Sequence, residues 1–278
     1  MSIQRIPFTP SPGLRKELEF FATTDQGRKI YSEIKGTDDL VSMIETNPDY
    51  IDLKTLVKQF PQGRLLDVGV GWGLTSAYLG SKGYVVTCLD PSPEACRSME
   101  EFYNRLGLQN TIYCGPAEAL DHIPGEFDYV VFWSSLHHCD DPGLAIKNAY
   151  KILRPGGWVI LFEPVLRFYR TKRWFYRMME QDPQKIGHYG GNEHSYRNQE
   201  YLDFLAEAGF YNLSSRPSDK YVLLPKRAPW DKAVRWKIKN LYYRLTRRVT
   251  ANPNKISRLL IRLSLLLPII IGQKRFCK

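Results

Sequence analysis

Five short apolar runs recur through the middle of the chain: Leu65–Val68, Tyr84–Leu89, Thr111–Cys114, Tyr129–Trp133 and Trp158–Phe162. Stretches of helical period separate them: Leu74–Ser81, Pro93–Leu106 and Leu144–Leu153. Runs this continuous, without polar alternation, fit strands covered on both faces, the habit of a parallel sheet. Strand–helix alternation then predicts an α/β fold with a doubly wound sheet. Arg154-Pro155-Gly156-Gly157 sets a turn before the fifth strand.

The flanks follow other rules. Leu14 to Phe60 reads as helical, with Leu18, Phe20 and Phe21 on one apolar face and Ile30, Ile34, Leu40 and Ile44 continuing it; Pro48 and Pro61 punctuate the segment. Pro164 to Arg197 is irregular, aromatic and basic, with Gly187, Gly190 and Gly191 as flexible points, which suits a lid. Asn198–Ala208 is a helix closed by Gly209. Phe210–Leu213 and Tyr221–Leu224 are expected to pair as closing antiparallel strands. The predicted organisation is an N-terminal arm and helical cap over 1–60, an α/β domain over 61–225 with a lid insertion at 164–197, and an extension over 226–278.

The first candidate site is Asp67-Val68-Gly69-Val70-Gly71-Trp72-Gly73, which leaves an apolar strand and opens a helix. Its glycines permit a tight turn and a close ligand approach. Asp90 closes the next strand, where a carboxylate can hold ribose hydroxyls. The spacing is G-x-G-x-G, not the G-x-G-x-x-G of dinucleotide sites. Downstream stand Glu126-Phe127-Asp128-Tyr129-Val130-Val131, Leu136-His137-His138, Leu153-Arg154-Pro155-Gly156-Gly157 and Glu207-Ala208-Gly209-Phe210. In this order the blocks resemble the class I S-adenosylmethionine-dependent methyltransferase family over Arg64 to Phe210. The resemblance implies a Rossmann-like, mostly parallel, seven-stranded sheet and S-adenosylmethionine as cofactor. It implies Asp67 and Gly69 at the methionyl end and Gly71 beneath the cofactor, with Gly73 also among the cofactor-binding residues. It further implies Asp90 on the ribose, Pro91 and Ser92 beside the adenine with Ala117 and Glu118 opposite, and Trp133 and Ser134 near the methionyl group. Pro116 stands where the family often carries an aspartate for the adenine amino group, which leaves that recognition to backbone or Glu118.

Methyl transfer from a sulfonium needs alignment and, for a hydroxyl acceptor, removal of a proton. Base candidates are His194 first, then His138 and His188; solvated loop histidines and a structural role for His137 are the plain competing readings. His137 and His138 are adjacent, so they are not expected to face one metal as an i,i+4 pair does. Glu163, ending the fifth strand, fits substrate contact or a structural ion pair equally. No metal site is expected, and the five cysteines show no C-x-x-C pair. They read as buried thiols of a reducing compartment.

The 278 residues carry a net charge of +10, unevenly spread: residues 226–278 hold +14 and the rest −4. Val234, Ile238, Leu241, Leu245 and Val249, interleaved with Lys237, Lys239, Arg244, Arg247 and Arg248, predict a basic amphipathic helix. Ile256–Ile271 is too short and too charged to span a bilayer and fits an in-plane interfacial helix. The extension is therefore expected to be helical and to meet an anionic membrane; packing on the domain or a homodimer contact is the alternative, and nucleic acid is disfavoured by the apolar run. Met1–Gly13 has no apolar leader-like stretch, so the expected place is the cytoplasm, peripheral at the inner membrane face. The predicted activity is methyl transfer, expected as O-methylation; the tail points to an amphiphilic acceptor, and a loose similarity to methyltransferases of surface-polysaccharide and lipid-linked pathways implies a glycan- or lipid-linked one. The alternatives are a soluble small-molecule or RNA methyltransferase, or a non-catalytic cofactor-binding regulator or scaffold.

Overall fold

The computed structural model describes residues 3–24, 29, 31–166, 170–181, 192–218 and 268–276. Eight strands form one sheet: β1 (Gln4–Arg5), β2 (Arg64–Val68), β3 (Val85–Asp90), β4 (Thr111–Cys114), β5 (Phe127–Trp133), β6 (Leu153–Phe162), β7 (Tyr211–Pro217) and β8 (Pro268–Gln273). Their order is β1-β4-β3-β2-β5-β6-β8-β7. Pairings from β1 to β6 are parallel, and β8 runs antiparallel to both its neighbours. The helices are α1 (Pro12–Thr23), α2 (Thr37–Thr46), α3 (Ile51–Gln59), α4 (Leu74–Ser81), α5 (Pro93–Leu106), α6 (Pro142–Ile152), α7 (Lys172–Gln181) and α8 (Asn198–Glu207).

The apolar runs become strands because both sheet faces are covered. In β5, Tyr129 and Val131 join one core cluster while Val130 and Phe132 join the other, as the two-residue period demands. Leu65 and Leu66 of β2 divide the same way. The helices carry their own start signals. Ser92 caps α5 through Ala95 N at 3.2 Å with Pro93 at the first position, and Gly107 ends it at φ +68°. Ser11 caps α1 through Leu14 N. Cys88, Cys96, Cys114 and Cys139 are buried free thiols, as their setting predicts.

Three expectations are corrected. Among the described residues the sheet has eight strands rather than seven, because Gln4–Arg5 in the predicted arm pairs with β4. Part of the lid segment is helix α7, whose residues are all at least partly exposed. The largest change concerns the extension. Pro268–Ile271, assigned to an interfacial helix, belongs to strand β8, wedged between β6 and β7. Its branched run Ile269-Ile270-Ile271 suits a strand buried on both faces; Ile269 is 3% and Ile270 0% exposed. A strand of the predicted extension thus joins the sheet of the α/β domain. The expected strand Tyr221–Leu224 and the amphipathic stretch Val234–Val249 lie outside the described residues. Among the described residues no helix is long and apolar enough to cross a membrane.

Candidate active site

Loops at the carboxyl ends of β2, β3, β4 and β5 enclose a cavity of about 540 Å³, within the usual range for small-ligand sites. Asp67, Gly69, Gly71 and Gly73 line it from the first loop, Asp90, Pro91 and Ser92 from the second, Ala117 and Glu118 from the third, and Trp133, Ser134 and His138 from the fourth. Leu14, Glu17, Leu18 and Phe21 line it from α1; their i, i+3, i+4, i+7 spacing makes one helix face its roof. The Phe21 ring lies 5.0 Å from that of Trp72.

The glycine loop is fastened to the next strand. Asp90 accepts from Gly71 N at 2.7 Å and from Ser92 N at 2.9 Å, so both carboxylate oxygens are engaged. Gly71 stands at φ +57°, and a Cβ there meets nothing within 4 Å: the loop offers an open cradle. Asp67 accepts from Ser76 Oγ at 2.5 Å and Thr75 Oγ1 at 3.2 Å, so its carboxylate also pins the first turn of α4. Ser134 takes φ +54°, a costly value for a residue with a side chain, where β5 leaves the sheet. Glu118 accepts from Asp141 N at 2.9 Å, and burial raises its pKa.

Burial pushes Asp90 up to about 7 against the opposing amides of Ser92 and Gly71, and Asp67 up to about 6 against Ser76 and Thr75. A folded-state pKa above the unfolded value makes the folded chain the better proton binder. The associated stability is therefore fully present below the ordinary carboxylate range, about 4, and is lost as pH rises from there to the folded values of about 6 and 7. For Asp90, going from pH 8 to pH 5.5 stabilises the ligand-free wild type by about 2 kcal/mol relative to Asp90→Asn. Calorimetric melts should show the wild type gaining roughly 4–8 °C on the variant over that range. A pH-independent difference would mean that Asp90 titrates as an ordinary carboxylate.

At the other end of the cavity a one-turn 3-10 helix, Leu136–His138, is held by Glu163. Glu163 accepts from Ser135 N and Leu136 N, both at 2.9 Å, from His137 N at 3.3 Å and from His137 Nδ1 at 2.6 Å. It is 2% exposed and outside the cavity lining, so of the two readings of this acid the structural one holds. His138 Nδ1 meets Glu17 Oε1 at 2.5 Å. Each Nε2 faces Glu193, at 3.5 Å from His137 and 3.6 Å from His138. Adjacency does not keep the two rings from sharing a target: the tight turn places their centroids 4.1 Å apart with both outer nitrogens toward one carboxylate.

His194 does not line the cavity. Its ring contacts Asn192 Oδ1 at 3.2 Å and Tyr176 Oη at 3.5 Å, its backbone amide donates to His137 O, and burial lowers its pKa. His188 lies outside the described residues. Sequence reasoning missed Glu17, Asn192 and Glu193. An acid at position 17 within the apolar spacing of Leu14, Leu18 and Phe21 was the available signal for the first; Glu193, next to His194 in an irregular loop, offered none.

Residues 66–161 match the family model described as "Methyltransferase domain". The chain is 32% identical over 151 residues to 2-methyl-6-phytyl-1,4-hydroquinone methyltransferase 2, chloroplastic, of Oryza sativa subsp. japonica, covering 53% of this chain and 38% of that protein. It is 32% identical over 116 residues to the ubiquinone biosynthesis O-methyltransferase of Xanthomonas campestris pv. campestris (strain B100), covering 41% of this chain and 48% of that protein. The chain thus spans less than half the length of these curated relatives. Among solved structures, phosphoethanolamine N-methyltransferase 2 of Haemonchus contortus in complex with S-adenosyl-L-methionine has TM-score 0.51 at 16% identity, covering 91% of this chain and 61% of that one. That likeness is one of fold, and residues 66–161 form a methyltransferase domain of the class I S-adenosylmethionine-dependent family.

Proposed function

We propose that the chain is an S-adenosylmethionine-dependent O-methyltransferase acting on a hydroxyl of an amphiphilic molecule with a hydroquinone- or phenol-like head. One observation carries the reading. A single cavity runs from the Gly69–Gly73 loop and Asp90 to the His138 and Glu193 wall, under the apolar face of α1. The cofactor is assigned to the first end: Gly71 leaves room for close approach, and the Asp90 carboxylate, lining the cavity beside that loop, supports a role toward ribose hydroxyls. When bound, S-adenosylmethionine supplies an electrophilic methyl. The protein contributes alignment through the loop, exclusion of water by Leu14, Leu18 and Phe21, and a polar wall for the acceptor hydroxyl. The names of the two curated relatives, a hydroquinone methyltransferase and a ubiquinone-pathway O-methyltransferase, support this acceptor class over a glycan-linked one. The basic segment 226–267 would hold the chain at the anionic surface where such acceptors reside.

The test is transfer of labelled methyl to reduced quinols, with and without a long isoprenoid tail, presented in anionic or neutral vesicles. The tailed quinol in anionic vesicles should turn over at least tenfold faster than the same quinol in neutral ones, with label recovered as an aryl ether. Binding of S-adenosylhomocysteine together with no transfer to any quinol or phenol would remove this acceptor class. Equal rates in the two vesicle types would remove the surface role.

A further inference from the structure

We propose that His137, His138 and Glu193 bind one divalent first-row transition cation, with its open coordination positions facing the cavity. Three observations converge on the site. The first is orientation. Each imidazole has its Nδ1 against a carboxylate, His137 on Glu163 and His138 on Glu17. Ionised carboxylates only accept, so both Nδ1 atoms carry the proton; in the neutral rings the lone pair sits on Nε2. A carboxylate behind each imidazole is the arrangement that fixes the tautomer of metal-ligating histidines.

The second is convergence. Both Nε2 atoms point to the two oxygens of Glu193 at 3.5 and 3.6 Å, beyond hydrogen-bond length. Neighbouring ligands around an ion with bonds of about 2.1 Å in tetrahedral array stand about 3.4 Å apart. The three ligand atoms all lie within 4.8 Å of one another, so movements of a few tenths of an ångström to about an ångström close the set.

The third is charge. Glu17, Glu163 and Glu193 present three carboxylates to this wall, with side chains 9%, 0% and 9% exposed, and their ion pairs among the described residues run to the two imidazoles. Buried charge requires pairing or a metal. A dication bound by two neutral imidazoles and Glu193 reduces the excess from −3 to −1. Two imidazole nitrogens with one carboxylate favour zinc, iron, cobalt or nickel over magnesium or calcium.

All three ligands line the cavity, so the open positions face the acceptor end. The role of the ion there rests on the methyltransferase reading above. A hydroxyl that coordinates the ion gives its proton to solvent and stays as oxyanion; the O–C bond then forms as the C–S bond of the sulfonium breaks, sulfur keeping the electron pair. The polarity of the wall and its placement opposite the cofactor end are thereby explained together.

The experiment is binding, which does not depend on turnover. Full-length protein stripped with a chelator is titrated with Zn2+ in competition with a chromogenic chelator, and with Co2+ by visible absorption. The proposal expects one ion per chain at about micromolar Kd or tighter, and an absorption band of nitrogen-ligated Co2+. His138→Ala and Glu193→Gln should each weaken Zn2+ binding at least tenfold while S-adenosylhomocysteine still binds, which certifies the fold. Absence of stoichiometric Zn2+ or Co2+ in the wild type overturns the site, as does equal affinity in both variants. If a variant does not fold, the wild-type Co2+ spectrum decides: a spectrum of the hexa-aqua ion overturns the proposal. One bound ion with no methyl transfer to any acceptor keeps the site and removes the functional reading; undiminished transfer by metal-free protein removes the catalytic role of the ion.

Discussion

A chain ended at Leu267 will not fold cooperatively, although it retains the whole glycine loop and every cavity residue. Strand β8 pairs with β6 on one side, Trp158 opposite Gln273 through Phe162 opposite Ile269, and with β7 on the other, Tyr211 opposite Gln273 through Pro217 opposite Pro268. Its removal cuts the sheet between β6 and β7. It also opens both cores, because Ile269 packs in one and Ile270 in the other. Losing those two buried side chains alone costs roughly 3–6 kcal/mol, a large part of the 5–15 kcal/mol typical of a domain. The β7 and β6 ladders are lost as well. Lys274 adds a second fastening: its amide donates to Gly157 O at 2.8 Å, its carbonyl accepts from Gly156 N at 3.0 Å, and Nζ reaches Leu153 O at 2.6 Å. Circular dichroism should show no cooperative melt for the truncated chain. Ile270→Ala, a milder probe, should cost about 2–5 kcal/mol. A truncated chain melting within a few degrees of the full chain would show that β8 contributes nothing to the sheet. Any assay of the basic segment must therefore keep residues 268–276 and alter the charges upstream.

The strands and helices of the cofactor half were legible because local and tertiary preferences agree there. Leu74–Ser81, Pro93–Leu106 and Thr111–Cys114 match the structure to the residue, since Gly73, Ser92 with Pro93, and Gly107 mark ends that backbone geometry itself demands. Strand β8 was misread for the opposite reason. An apolar run beside basic residues carries no period that separates a buried strand from an interfacial helix, and its partners, β6 and β7, lie more than fifty residues away in the chain. The His137–His138 wall was half legible. His137 and His138 were visible as residues, but their shared direction depends on a 3-10 turn stapled by Glu163 and on Glu17 from α1, 121 positions before its partner His138. His194 drew attention by type and loop position, yet its half-buried ring is spent on Asn192 and Tyr176. Side chains that meet only through the fold leave no spacing to read.

Gly69→Ala should strip the protein of both stability and cofactor, whereas Gly71→Ala should strip it mainly of cofactor. Both glycines have positive φ, +70° and +57°, so alanine pays roughly 1–2 kcal/mol of backbone strain at either. They differ in what a methyl group meets. At Gly71 there is nothing within 4 Å; at Gly69 the new Cβ falls 2.4 Å from Ser135 Cβ. Ser135 has no room to retreat, because it is 8% exposed, its Oγ donates to Val68 O at 2.5 Å and its amide donates to Glu163. Overpacking of this kind adds about 1–3 kcal/mol, bringing Gly69→Ala to roughly 2–5 kcal/mol and a melting point lower by about 5–15 °C. The methyl also pushes on the segment leading into the Leu136–His138 turn, so strain in the glycine loop reaches the His137–His138 wall directly. Calorimetry with S-adenosylhomocysteine should find affinity down by about a hundredfold or more in both variants, since each methyl group enters the surface the cofactor must approach. The double variant Gly69→Ala, Ser135→Gly separates the terms: it should recover the steric part of the stability loss and leave the φ part. Equal melting points for Gly69→Ala and Gly71→Ala would mean that the Ser135 contact does not set the cost, and the coupling between the two ends of the cavity would have to be sought elsewhere.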